Sequence, residues 1–312
     1  MNIVLLGGSG FVGRNLISAL AQRGHDCTVL SRDTERCRDL RLLPRVRLLR
    51  ADPYDVESLT RAVAGADTAI NLVGILNESG RSGKGFERAH VQLTENLLQA
   101  CADSGIERYV QISALGADSE DPDASHYLKT KSKAEQLVRD SKLKYTIVRP
   151  SVIFGVGDSF FNRFASLLRW TPILPIACPD SLMQPVWVGD VAEAICRMLE
   201  SPGSIDQAYP LVGPEKYKLI QLVRYTATAI GKKRLIIGLP DFASRLQGLV
   251  FDFIPGKPFS SDNYRSLKLD NVSDKNALPD FGIEPRPLKG YVRDYLCGSA
   301  RQRRLNSIRS RG

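Results

Sequence analysis

NIVLLGGSGFVGRNLISALAQRGHDCTVLSRD, residues 2–33, decides the fold. Ile3-Val4-Leu5-Leu6 is an uninterrupted apolar run of the kind shown by a strand buried on both faces. Gly7, Gly8, Gly10 and Gly13 follow at once. Phe11, Leu16, Ile17 and Leu20 then recur at a helical period that stops at Gly24. A second apolar strand runs from Cys27 to Leu30 and ends in Ser31-Arg32. Strand, glycine turn, helix and strand within about thirty residues give a glycine pattern a mechanical meaning. Gly7 permits a tight turn out of the strand, Gly10 lets a pyrophosphate approach the backbone, and Gly13 lets the helix lie close on the sheet. The helix start, Phe11-Val12-Gly13-Arg14, offers unpaired N–H groups and a positive dipole end to phosphate. The stretch predicts a dinucleotide site; a tight turn without a ligand is the plain alternative.

The end of the second strand bears on which dinucleotide. NAD recognition usually places a carboxylate there, about twenty residues past the glycines, to accept from the ribose hydroxyls. Here the tip is Ser31-Arg32, with Arg14 after the last glycine and Arg36 nearby. A guanidinium pairs with phosphate through a bidentate fork, so these arginines suit the 2′-phosphate of NADP(H) better than the bare ribose of NAD(H). Asp33 is the opposing feature, since it can turn back toward a ribose.

With 312 residues, 43% hydrophobic and 25% charged, the chain reads as an ordinary globular protein able to bury a large core. No apolar run approaches the roughly twenty residues of a membrane span. The first strand begins at the second residue, which leaves a leader peptide no room and points to the cytoplasm. Cys27, Cys37, Cys101, Cys178, Cys196 and Cys297 are scattered, so reduced thiols and no metal site are expected. The net charge of +9 is uneven: seven arginines fall between Arg32 and Arg50, and five more between Arg301 and Arg311. The tail, 301–312, has no apolar periodicity and reads as a disordered basic segment suited to an anionic membrane surface or an acidic partner. Without interleaved aromatics, nucleic acid is disfavoured.

Further along, Val46–Leu49 reads as a third strand, 55–64 as a helix, Thr68–Val73 as a fourth strand and 86–104 as a helix. Arg108–Ser113, a helix over 127–141 and Tyr145–Val148 complete an alternation that predicts an α/β, doubly wound parallel sheet. Ligands lie across the carboxyl ends of such strands. Asn71, Val73 and Gly74 are therefore cofactor candidates by position, as is Asp52, which as readily caps the next helix. Past Pro150 the prolines become denser and short helices alternate with irregular connections. The reading divides the chain into a nucleotide-binding domain, 1–150, a smaller C-terminal α/β substrate lobe, 151–300, and the tail. Residues 241–253 form an amphipathic helix whose apolar side is expected to pack into the lobe core.

Tyr127-Leu-Lys-Thr-Lys131 puts a phenol and an ammonium four residues apart, on one helical face. In a hydride-transfer site such an ammonium lowers the phenol pKa toward working pH, and the phenol exchanges a proton with a carbonyl or alcohol. Ser113, at the end of the fifth strand, is the candidate hydroxyl to polarise the same oxygen.

GGSGFVG, YLKTK and RPSVIFGVGD followed by PVWVGDVAEAI resemble the extended and atypical short-chain dehydrogenase/reductase superfamily across most of the chain. Within it the whole, including IPGKPFSSDNYRSLKLDNV, is similar to relatives of the nucleotide-binding accessory subunit 9 of the respiratory complex I alpha subcomplex. The resemblance implies a Rossmann domain, bound NADP(H) lined by Gly7, Gly10, Gly13, Arg32, Asp52, Lys131 and Pro150, and a substrate lobe. Two departures stand out. His90 occupies the position of an asparagine, and Ile112-Ser113-Ala114 replaces paired serines, so Ala114 takes the hydroxyl position if the register differs by one. Two functions follow. One is an oxidoreductase acting on a small carbonyl or quinone-like substrate. The other is a non-catalytic, nucleotide-holding accessory or assembly protein with respiratory-chain subunits as partners, peripheral to the inner membrane.

Overall fold

In the computed structural model, which describes residues 1–119, 121–254 and 259–297, the first apolar run forms β1 (Asn2–Leu6) and the periodic stretch after it α1 (Phe11–Gln22). β2 (Asp26–Ser31), β3 (Val46–Arg50), α2 (Val56–Val63) and β4 (Thr68–Asn71) follow. β4 is shorter than expected because the Asn71 side chain accepts the Val73 N–H at 3.1 Å and turns the chain away. The helix expected over 86–104 is three pieces: α3 (Lys84–Phe86), a π-helical segment (Glu87–Gln92) and α4 (Leu93–Asp103). β5 (Arg108–Ile112), α5 (His126–Asp140) and β6 (Lys144–Pro150) complete the regular alternation.

Beyond Pro150 come β7 (Ile153–Phe154), α6 (Phe160–Trp170), β8 (Ile173–Ile176), β9 (Leu182–Met183) and β10 (Val186–Trp187). Then follow α7 (Val188–Glu200), β11 (Gln207–Leu211), β12 (Tyr217–Lys218), α8 (Leu219–Ala229) and β13 (Leu235–Gly238). The last helices are α9 (Asp241–Phe251), α10 (Ser261–Lys268) and α11 (Tyr291–Cys297). The basic tail lies outside the described residues.

The central sheet is parallel throughout, in the order β11-β6-β5-β4-β1-β2-β3. Strand alternation sends Ile3 and Leu5 to one face, where α1 and α7 cover them with Leu16, Ile17, Leu20, Val191 and Ile195. Val4 and Leu6 go to the other, under α2 and α4. α7 and β11 thus return to the sheet from beyond residue 150, and the sheet continues past the change in composition. The remaining C-terminal elements build their own core around Phe154, Phe161, Leu168, Leu222 and Val223.

The order reverses between β1 and β4, so the crevice at their carboxyl ends is the switch point where a ligand lies in such sheets. Two glycines make this corner. Gly7 adopts φ +79°, and a Cβ there would lie 3.0 Å from Leu72 C and Val73 N, so the ends of β1 and β4 meet backbone to backbone. A Cβ on Gly13 would fall 2.5 Å from both the carbonyl carbon and Cα of Gly8, so α1 rests directly on the turn.

Helix α9 overturns one expectation. Its buried residues are the small ones, Ser244 and Gly248, while Phe242, Leu246, Leu249 and Val250 are exposed rather than lobe core. A Cβ on Gly248 would meet Ser260 O and Ser261 Cα at 3.2 Å, so α9 and the start of α10 approach too closely for a large side chain between them.

Gly13→Ala forces the start of α1 away from the Gly8 peptide, a rigid neighbour. It is expected to lower unfolding free energy by about 2–3 kcal/mol in urea titrations. A variant as stable as the native chain would mean that α1 does not rest on the turn.

Candidate functional site

The glycine corner leaves room for an anion. Over Gly10 a Cβ would meet only Gly7 O, at 3.3 Å, so no side chain closes the approach. Gly10 is the N-cap of α1, has no side-chain cap, and is followed by no acidic residue in the first turn. The first N–H groups of α1, at Phe11, Val12 and Gly13, stand at the open positive end of a twelve-residue helix. These features fit a pyrophosphate. Phe11 turns its ring toward the turn after β7, where a Cβ on Gly155 would lie 3.4 Å from it, and Val12 packs against the core beneath α1. Both therefore contribute backbone rather than side chain.

The arginines divide differently from the sequence expectation. Arg14 is not among the cations open to a 2′-phosphate. It pairs with Asp39 through both terminal nitrogens and donates from Nε to Ser9 O at 2.9 Å, tying the glycine turn to the segment after β2. Arg36 pairs with Asp33 at 3.1 Å. Asp33 also accepts from Glu35 N at 3.1 Å, which commits the carboxylate that opposed NADP(H) to the turn after β2. The Ser31 hydroxyl donates to Asp33 O at 2.9 Å within the same turn. Arg32 is exposed and has no ion pair among the described residues.

At the end of β3, Asp52 accepts from Tyr54 N at 3.0 Å; the cap of α2 is Asp55, accepting from Glu57 N. Asn71 is committed to a buried network, donating to Thr94 Oγ1 at 3.1 Å and to Gln111 Oε1 at 3.2 Å. With its own oxygen on Val73 N–H, Asn71 shapes the corner without a group to spare for a ligand. Pro150 is buried at the end of β6, its carbonyl taken by Leu115 N at 3.0 Å.

Lys131 is 3% exposed and sends its ammonium to the carbonyls of Val73, at 3.2 Å, and Ile112, at 3.0 Å. Those carbonyls lie beyond β4 and at the end of β5, so the ammonium bridges the two strand ends at the crevice. Burial pulls it down to about 8, with the more distant Glu135 opposing. Gly74 lies against this group: a Cβ there would stand 3.4 Å from Lys131 Nζ and 3.9 Å from His90 Nε2.

Tyr127, one helical turn before Lys131, packs edge-on against the rings of His90 and Phe86. Its phenol departs from the expectation that the lysine would lower it. Burial pushes it up to about 12, while the ammonium is spent on backbone carbonyls. Ser113 also departs from its expected partner. Its hydroxyl is buried without a hydrogen bond of ordinary geometry, close enough to Glu135 to favour that carboxylate's charged form. Burial opposes the charge on Glu135, and a bidentate bond from Arg149, at 2.9 and 2.6 Å, together with Arg139 and Ser113, outweighs it. Ala114, next along, packs with Leu128 and Tyr127.

Two residues that place this pair escaped the sequence reading, and a third gained a role. Asp262, on α10, accepts from His126 N at 2.6 Å and Tyr127 N at 3.2 Å. Ser125 adds the local cap, accepting from Leu128 N at 3.2 Å. Only Ser125 carried a local signal, as a serine just before a helix. His90, 2% exposed in the π-helical segment, accepts the Ile75 N–H on Nε2 at 3.1 Å. Its proton therefore sits on Nδ1 and is donated to Thr130 Oγ1 at 2.9 Å. The neutral ring links the loop after β4 to the helix carrying Tyr127 and Lys131. Burial, then Lys131, brings it down to about 2.

Residues 7–155 match a family model described as NAD(P)H-binding, and residues 115–224 one described as RmlD substrate binding domain. The mitochondrial NADH dehydrogenase [ubiquinone] 1 alpha subcomplex subunit 9 of Arabidopsis thaliana is 32% identical over 310 residues, 94% of this chain and 76% of that protein. Its namesake in Mus musculus is 30% identical over 294 residues, 91% and 77%. Among solved structures, a nucleoside-diphosphate-sugar epimerase from Staphylococcus aureus superposes with a TM-score of 0.76 at 20% identity, covering 94% of this chain and all of that one.

The unfolded chain protonates His90 below about pH 6.5, whereas the folded chain resists this down to about 2. Falling pH therefore costs the fold about 1.4 kcal/mol per unit at this residue, starting near pH 6.5. His90→Asn is expected to lose about 1–3 kcal/mol at neutral pH through the abandoned Ile75 and Thr130 partners. It should also decline less steeply than the native chain on acidification, as read by denaturant titrations across pH. Parallel curves would mean that the ring is protonated in the fold.

Proposed function

Because the chain belongs to the NAD(P)-binding atypical short-chain dehydrogenase/reductase family, together with the subunit 9 proteins it matches over most of its length, we propose that it binds NADP(H) and transfers hydride to a carbonyl or quinone-like substrate. One observation carries the reading: a buried ammonium, with no carboxylate among the described residues within 4 Å, bridges two strand ends one helical turn from the half-buried Tyr127. A buried charge without a counter-ion is costly, and its place at the ligand crevice argues for a binding and catalytic use.

In this reading the first amides of α1 hold the pyrophosphate, Arg32 the 2′-phosphate, and Lys131 the nicotinamide ribose. A bound nicotinamide supplies the hydride. Tyr127, kept protonated at neutral pH by burial, donates its proton to the substrate oxygen as negative charge develops there. A phenol raised to about 12 is a poor base at that pH, so reduction is the favoured direction. Lys131 is largely charged below about 8 and, held by the two backbone carbonyls, serves the ribose rather than the phenol. Ser113 has the lesser part, since its hydroxyl faces Glu135 while Ala114 packs beside Tyr127.

A nucleotide-holding accessory role in a respiratory complex is the second reading. It is favoured by the subunit 9 relatives and by the alanine beside the phenol. Affinity purification from cells that assemble the complex separates the two, with respiratory subunits recovered only under this reading.

Purified protein is expected to oxidise NADPH with some member of a carbonyl and quinone panel. Tyr127→Phe should lower kcat/KM by about 10²-fold or more, and Ser113→Ala by less than tenfold. No turnover across the panel, or Tyr127→Phe equal to native, would falsify the catalytic reading. Arg32→Glu should weaken NADPH by about tenfold or more and leave NADH nearly unchanged in fluorescence titrations. Equal losses for both nucleotides would remove Arg32 from the 2′-phosphate.

A further inference from the structure

Helix α9 turns its large apolar side chains outward. Phe242, Leu246 and Leu249 recur at i, i+4 and i+7 and so form one stripe, opposite Ser244 and Gly248, and Phe253 extends the exposed apolar surface from the turn just past the helix. Phe242 is 75% and Phe253 73% exposed. Beside the helix, the β8–β13 pair also exposes apolar side chains, among them Leu235, and Trp170 at the end of α6 is 85% exposed. A Gln247–Pro175 hydrogen bond joins α9 to this pair. Ten of the fifteen exposed large apolar residues lie between Trp170 and Ile254, so the C-terminal lobe carries most of the uncovered apolar surface described. Surface of that extent marks an interaction site.

The charge around it identifies the occupant. From Leu219 to Val250 the chain has five cations, Arg224, Lys232, Lys233, Arg234 and Arg245, and one carboxylate, Asp241. Asp241 is already engaged, pairing with Lys268 at 2.9 Å and accepting from Tyr264 at 2.9 Å. Lys232, Lys233 and Arg234 directly precede Leu235, and Arg169 precedes Trp170; among the described residues none of the four forms an ion pair. On α9 itself Arg245 stands at the edge of the stripe and does not interrupt it. Arg81, its guanidinium 4.4 Å from the Phe253 ring, adds another at the far end. A two-fold contact between copies would set this basic rim against itself. An acyl surface beneath anionic headgroups meets both features at once.

We propose that the outward face of α9, with the Trp170–Leu235 ridge beside it, docks on an anionic lipid bilayer. At eleven residues α9 lies in the plane of the interface, its stripe among the acyl chains and the flanking cations at headgroup phosphates. No helix of the described residues is long and apolar enough to cross a membrane, and this docking needs none. The assignment does not depend on cofactor binding or turnover.

Full-length protein is mixed with phosphatidylcholine vesicles and with vesicles that also contain phosphatidylglycerol, and sedimented at low and high salt. The native chain is expected to bind the phosphatidylglycerol vesicles about tenfold or more tightly than the neutral ones, with the preference fading in salt. The double variant Phe242→Ser/Phe253→Ser should bind them about tenfold or more weakly. Its thermal midpoint should change little, since both side chains are mostly exposed and only the Arg81–Phe253 contact is lost. A variant with the five tail arginines changed to glutamine should bind as the native chain does. The proposal is overturned if the native chain ignores phosphatidylglycerol vesicles or if the double variant binds them equally well. It is also overturned if binding goes with the tail arginines, or if sedimentation velocity shows a dimer that the double variant dissolves.

Discussion

The first turn of α1 rests on the peptide of Gly8, with nothing between them but hydrogens. That contact fixes the angle at which the helix leaves the sheet, and so the direction of its uncapped amides. The same corner brings the ends of β1 and β4 together at Gly7 and Leu72, which puts the loop after β4 beside the glycine turn. Everything the crevice offers a ligand is set against this backbone frame.

A second frame is polar. The Lys131 ammonium bridges carbonyls beyond β4 and at the end of β5, and His90 links the β4 loop to α5. Asp262 closes the arrangement from the lobe by taking the first two amides of α5. Three elements far apart in sequence therefore locate one phenol. The neutral ring suits this work, because a charged imidazolium beside the buried ammonium would repel it. Arg149 and Glu135 form a separate buried ion pair near Ser113.

The lobe serves two surfaces at once. α10 reaches inward to cap the helix of the phenol, while α9, packed on it at Gly248, faces outward with an apolar stripe. Small residues on the inner side of α9 permit the close approach to α10, and the large side chains are left to the solvent side. A helix that steadies the crevice and a helix with an outward apolar face thus lie side by side in one lobe.

The sequence by itself determined the parallel alternation, the glycine corner, the Tyr127–Lys131 spacing and the family, because each is written in residues a few positions apart. Backbone freedom at Gly7, apolar period and helix spacing are local properties, and a chain carries them wherever it folds. Only the tertiary structure decided which charges were already spent. Arg14 meets Asp39 25 residues away, Asp262 reaches Tyr127 across 135, and Glu135 is held by Arg149, 14 residues on. The same holds for α9: periodicity shows that a helix has an apolar side but not which way it turns. Where a neighbour needs close backbone contact, the small side chains take the inside.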